Sequence, residues 1–177
     1  MAKKVSFSSQ NLSIDEIVYY KQDLERAIKL YYKSYNEYEK FYTYSIKNIN
    51  EEKALRLQEL ELNAIFMLLS SIEALFRIDF NIRVDKKLKD ALSQEFRSIY
   101  KNKQSRVSLE EDILNVWQNH FVELKVAISE YKGALHYRHW LAHGRYWKPN
   151  LARKYDFDSV YILADSIINN LPLKEVA

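Results

Sequence analysis

Cysteine is absent from this 177-residue chain. Its absence excludes disulfides, thiolate metal sites and a cysteine nucleophile, and predicts an intracellular, cytoplasmic setting. Glycine and proline are scarce, two of each, and neither occurs before Gly133. Sheets need turns, and turns lean on these two residues, so a β-rich fold is disfavoured. Long apolar runs are missing too. The most apolar one, residues 64–69, is far too short to span a bilayer, and the opening MAKKVSFSSQ lacks the apolar core of a signal peptide. A soluble protein with no membrane partner is expected. Acidic residues are missing from one stretch, residues 131–155, although the chain has 24 of them.

That stretch, YKGALHYRHWLAHGRYWKPNLARKY, holds three of the four histidines, both glycines and two of the three tryptophans. It carries six cations: Lys132, Arg138, Arg145, Lys148, Arg153 and Lys154. The remaining residues hold 21 basic against 24 acidic side chains, so the formal net charge of +3 conceals a polarised molecule. Such asymmetry points to a polyanionic partner, nucleic acid above all.

Apolar spacing predicts helices throughout. Leu24, Ile28, Tyr31, Tyr35, Tyr38 and Tyr42 alternate steps of four and three, one stripe of a helix that Ser13 and Glu16 open as a capping box. A second helix is expected from about Asn50, with the stripe Leu62, Ile65, Leu69, Ile72 and Phe76. A third fits Asp85 to about Tyr100, ended by KNKQSR (101–106). Ser108 and Glu111 form another capping box, opening a helix with the stripe Ile113, Trp117, Leu124, Ile128, Tyr131 and Leu135. Pro149 marks a break, and a last helix runs from about Phe157 to Asn170, with Pro172 just beyond. The reading is an all-α, up-and-down antiparallel bundle of about five helices, disordered in its first few residues and after Pro172. Eight of the fourteen tyrosines lie between Tyr19 and Tyr44. Their spacing assigns them to packing, leaving Tyr20, Tyr32 and Tyr44, which fall off the stripe, to face a partner.

Arg138, His139 and His143 suit metal-free RNA cleavage. Histidine, with an unperturbed pKa of roughly 6.5, both takes and gives a proton at neutral pH. Arginine stays charged and offers a fork of donors matched to phosphate oxygens. RNA brings its own nucleophile, the 2′-hydroxyl. One well-placed donor at the developing charge contributes ~3–4 kcal/mol to catalysis. On an unbroken helix, positions 138 and 143 lie about 140° apart, so the arginine must curl, the helix must break, or two subunits must share the site. A metal reading is weaker. His136, His139 and His143 share a face, but the outer two are about 10 Å apart along a helix, and no acid in the stretch completes a ligand set. The bland alternative stays open: a histidine satisfied in the bundle and an arginine in a surface pair.

The string Arg138-His139-Trp140-Leu141-Ala142-His143-Gly144 resembles the signature of HEPN domains: an arginine, a polar residue, three more residues and a histidine. Its late position in a helical chain, before a final helix, is similar too. The resemblance covers residues 1–177 as one HEPN-like domain. It implies a metal-independent endoribonuclease without cofactors, acting as a homodimer with a composite cleft. Products would be 2′,3′-cyclic phosphate and 5′-hydroxyl ends. Toxin or antiphage-defence roles are implied as well, with an antitoxin or defence-system partner. On this resemblance Arg138 binds the scissile phosphate, His143 is general acid or base, and His139 supports them. Family toxins silenced by nucleotidylation have a tyrosine two residues after the histidine. Here Arg145 stands there and Tyr146 follows, so that silencing is not inferred and Tyr146 ranks as a supporting residue. Glu73 is either half of a Glu–Arg pair with Arg77 or, as the resemblance implies for this helix, the residue that holds Arg138 or a histidine in place. Arg145, Lys148, Arg153 and Lys154 are candidates to track the RNA backbone, and Trp147, more than Trp140, to stack on bases. Two alternatives remain: a non-catalytic RNA- or nucleotide-binding HEPN subunit, and a structural adaptor.

Overall fold

A computed structural model describes residues 7, 8 and 10–174. The expected disorder of the first few residues therefore falls largely outside the described residues. The described chain is helical, with no strand among its residues. Helix α1 (Ile14–Lys33) starts as its sequence predicts: the Ser13 hydroxyl accepts the Glu16 N–H at 3.2 Å, and the Glu16 carboxylate accepts the Ser13 N–H at 2.7 Å. The stripe was expected to continue as one helix through Tyr42, and it does not. After Ser34 the chain tightens into two 3₁₀ turns, Tyr35–Glu37 and Glu39–Phe41. A 3₁₀ turn has three residues, so Tyr35, Tyr38 and Phe41 come to one side. Phe41 is 3% exposed whereas Tyr42, the position the helical period selects, is 72% exposed. Tyr32 is also a correction. It is buried against Phe41 (ring centroids 5.5 Å) with Ile49, while Tyr20 and Tyr44 are exposed.

Helix α2 (Ile46–Asp85) has 40 residues and, at 1.5 Å per residue, is about 60 Å long. It begins four residues before Asn50 because Ser45 caps it, its hydroxyl accepting the Asn48 N–H at 3.2 Å. Ile65, Leu69, Ile72 and Phe76 are fully buried along it and Leu62 is half-buried, as their spacing predicts. Asp85 ends this helix rather than starting the next. Helix α3 (Ala91–Lys103) is capped instead by Asp90, whose carboxylate accepts the Ser93 N–H.

The Ser108 start is real but wider than an α-helix. Leu109–Leu114 is a π-helical turn in which Asp112, one residue past Glu111, accepts the Ser108 N–H. It leads into α4 (Asn115–His120), which breaks at Phe121. Helix α5 (Lys125–Ala142) then starts afresh, so the single long helix expected here is two, and the described residues form six α-helices. Four members of the expected stripe, Ile113, Trp117, Ile128 and Tyr131, are nonetheless fully buried, while Leu124 and Leu135 are half-buried. Helix α6 (Phe157–Asn170) matches its expected bounds and has its own reciprocal box between Asp156 and Ser159.

α2 is the axis against which α1, α3, α5 and α6 all pack. The core centres on Phe76, stacked on Tyr131 at 5.8 Å and edge-on to Trp117 at 6.3 Å. Complete burial of such a side chain stabilises the fold by about 1.5–3 kcal/mol. At one end Arg83 is buried. Its Nε donates to Asp79 at 2.7 Å, and the guanidinium also reaches Asp90, Ser93 and the Pro172 carbonyl. The Lys174 N–H donates to Asp79 as well. The start of the tail beyond Pro172 is therefore tied to α2, contrary to the expected disorder; residues 175–177 lie outside the described residues.

Candidate active site

The second half of α5 and the chain after it form one self-packed unit. Gly144 ends the helix: with φ of +79° it takes the left-handed conformation, and the following Arg145 N–H bonds back to the Trp140 carbonyl at 3.2 Å. This closure satisfies a carbonyl that the helix end would leave bare. The chain then doubles back. Trp140 Nε1 donates to the Trp147 carbonyl at 2.6 Å, and Tyr137 stacks between Trp140 (5.5 Å) and Tyr155 (5.6 Å). Gly133 makes room for that return. A Cβ there would sit 2.9 Å from the Tyr155 hydroxyl. Burial pushes the phenols of Tyr137 and Tyr155 above their ordinary pKa.

Within this frame the structure brings some predicted residues together and separates others. His139 and His143 meet, with ring centroids 4.1 Å apart and planes at 48°, and both are exposed. The helix persists long enough to arrange this, because the His143 N–H still bonds to the His139 carbonyl at 3.1 Å. Trp147 lies 6.0 Å from His139, and Tyr146 is edge-on to Trp147 at 4.6 Å. Four rings thus follow one another in space: His143, His139, Trp147, Tyr146.

Arg138 goes the other way. Its Nη2 lies 3.3 Å from Glu73 Oε2, and its guanidinium sits 5.5 Å from the Phe66 ring. Glu73 thus pairs with both arginines and with neither histidine, its Oε1 also taking the Arg77 Nε at 2.8 Å. The ion pair is half sheltered, Arg138 being 30% and Glu73 18% exposed at the side chain. Arg138 Nε is buried without a partner, as is the hydroxyl of Ser70 between Phe66 and Glu73 on α2. An unpartnered buried donor costs about 1–3 kcal/mol, a cost that the ion pair with Glu73 and the contact with the Phe66 ring must offset.

The stretch without acids in sequence is not without them in space. Arg145 Nη1 pairs with Glu59 at 2.9 Å and Arg153 Nη1 with Glu130 at 3.0 Å. Three of the six cations therefore have acid partners from elsewhere in the chain. The hydrogen bond from Arg145 holds the Glu59 carboxyl below its ordinary pKa. Both exposed pairs are worth roughly 0–1 kcal/mol. Lys148 and Lys154 are exposed. Trp140 is packed, as expected, and Trp147 is half-buried, with Tyr146 standing outside it. Sequence reasoning missed Phe66, Glu59 and Glu130. Phe66 and Glu59 lie far from the motif along the chain; Glu130 directly precedes the acid-free stretch, and nothing in its spacing marks it as the partner of Arg153.

Chemically, the arrangement offers two adjacent imidazoles at the surface and, on the residue just before the first of them, a guanidinium paired with Glu73. Among the described residues no three His, Asp or Glu side chains converge as a metal-ligand set. No helix of the described chain is long and apolar enough to cross a membrane. No protein-family model, curated protein or solved structure matches the chain.

Proposed function

We propose that the chain is a metal-independent endoribonuclease of HEPN type whose working form is a homodimer. One observation carries this reading: His139 and His143 are paired and exposed just beyond Arg138. In the proposed reaction an imidazole takes the 2′-hydroxyl proton and the freed oxygen attacks phosphorus. Arg138 stabilises the added negative charge. The P–O5′ bond then breaks as a second imidazole gives the leaving oxygen a proton. The ends are a 2′,3′-cyclic phosphate and a 5′-hydroxyl, with atoms and protons in balance.

Dimerisation enters for a geometric reason. Within one protomer Arg138 turns toward α2 while the histidines face outward, so one copy does not aim both groups at a single phosphate. Twofold pairing of α5 ends would let the guanidinium of one copy meet the imidazoles of the other. RNA is the substrate, and Lys148 and Lys154, with Arg145 and Arg153 released from their acids, follow its backbone. A toxin or antiphage-defence role, restrained by an antitoxin or defence-system partner, is the biological setting we propose.

The test is cleavage of total RNA in EDTA. We expect His143→Ala to slow it about 10²–10⁴-fold and Arg138→Ala about 10²–10³-fold, with unfolding transitions like the parent's. Undiminished cleavage by both variants rejects the assignment. The Arg138–Glu73 ion pair favours one alternative, a non-catalytic RNA-binding subunit in which the arginine is structural. RNA bound with a steep salt dependence and never cut would identify that case.

A further inference from the structure

We propose that Tyr146 is the base-stacking residue of this site, taking the unpaired base of a nucleotide beside the phosphate held at His143. The inference rests on the RNA reading above and adds the residue that engages the base. Tyr146 is 85% exposed, an unusual state for an aromatic side chain in a segment that buries Tyr137, Tyr155 and most of Trp140. It does not sit on a loose loop. The turn beneath it is closed by Gly144 in the left-handed region and by the Arg145 N–H on the Trp140 carbonyl. Beyond it the Trp147 carbonyl accepts from Trp140 at 2.6 Å, which ties down the far side of the turn. Arg145 holds φ of +58°, a conformation that costs a non-glycine residue energy and that these contacts maintain.

A ring held this way loses little conformational freedom when a base covers it, which favours affinity. Trp147, the stacking candidate by sequence, is half-buried and serves as the wall against which Tyr146 stands edge-on at 4.6 Å. Through Trp147 and His139 the ring row leads to His143, so a strand whose phosphate lies at His143 brings a neighbouring base to Tyr146. Only an unpaired, unstacked base has a free face to offer. Exposed Lys148, two residues on, lies on the same segment for the backbone.

The experiment measures binding of the full chain to a short, fluorescently labelled single-stranded RNA with 2′-O-methyl sugars, which cannot be cut, in EDTA. A strand of equal length carrying abasic sugars is the control. Stacking by one aromatic side chain predicts that Tyr146→Ala binds the first strand roughly 5- to 150-fold more weakly. Tyr146→Phe should bind like the parent, and the abasic strand should not distinguish the three proteins. Equal affinity of parent and Tyr146→Ala for the base-carrying strand overturns the proposal. So do an equal loss on both strands and an absence of binding by the parent. Cleavage of unmodified RNA is scored separately: a protein that shows the stacking signature and never cuts retains this inference and loses the nuclease reading.

Discussion

Arg138 is the residue whose chemistry depends most on its surroundings. A free guanidinium and a carboxylate-paired one differ in what they can offer a phosphate, and here Glu73 pairs with Arg138 at 3.3 Å while also holding Arg77. If the pair aims the guanidinium, Glu73→Gln should lower kcat for RNA cleavage by about tenfold or more, the scale of one misplaced charge-stabilising donor. Its unfolding temperature should change little, since a half-exposed pair contributes on the order of 1 kcal/mol. A Glu73→Gln protein that melts well below the parent yet keeps full kcat would show a brace and nothing more. Glu73→Asp, which keeps the charge, should recover part of the rate.

Across elements, the end of α5 decides how the rings are displayed. Gly144 sits at φ of +79° with nothing within 4 Å of a would-be Cβ, so only the backbone conformation resists a side chain there. Gly144→Ala should cost about 1–2 kcal/mol, whereas Gly144→Asn should cost less, because asparagine tolerates this region. Thermal unfolding of the two variants checks the ranking; equal losses would mean that the turn reorganises instead of straining. The same closure explains why His139 and His143 can meet. Four residues apart, they lie above one another only while the last turn is kept, and the His143 N–H bond to His139 keeps it.

For the whole molecule, both capping boxes report on pH. The Glu16 and Asp156 carboxyls are held below their ordinary pKa by hydrogen bonds from Ser13 and Ser159. A depressed folded value means their contribution is complete above the ordinary carboxylate range and is lost as pH falls through the folded value. Unfolding temperature should therefore drop on acidification toward pH 3, and a protein carrying Glu16→Gln and Asp156→Asn should show a shallower drop. An unchanged slope would mean that other carboxylates govern acid unfolding.

The helical class, the buried stripe of α2, the Ser13 box and the bounds of α6 were all legible in the chain, because they rest on local periodicity and capping. Where two local signals competed, the reading slipped: Asp85 and Asp90 both suit a helix start, and Tyr38 fits both the 3.6 and the three-residue period. Placing Arg138, His139 and His143 on one short segment needed sequence alone. Which neighbours they would have did not follow from it. Glu73 and Phe66 reach Arg138 only because α2 packs along α5, and Glu59 and Glu130 neutralise basic residues far from them in the chain. Periodicity acts over a few residues and can be read along a line, whereas ion pairing and exposure depend on which surfaces packing brings face to face.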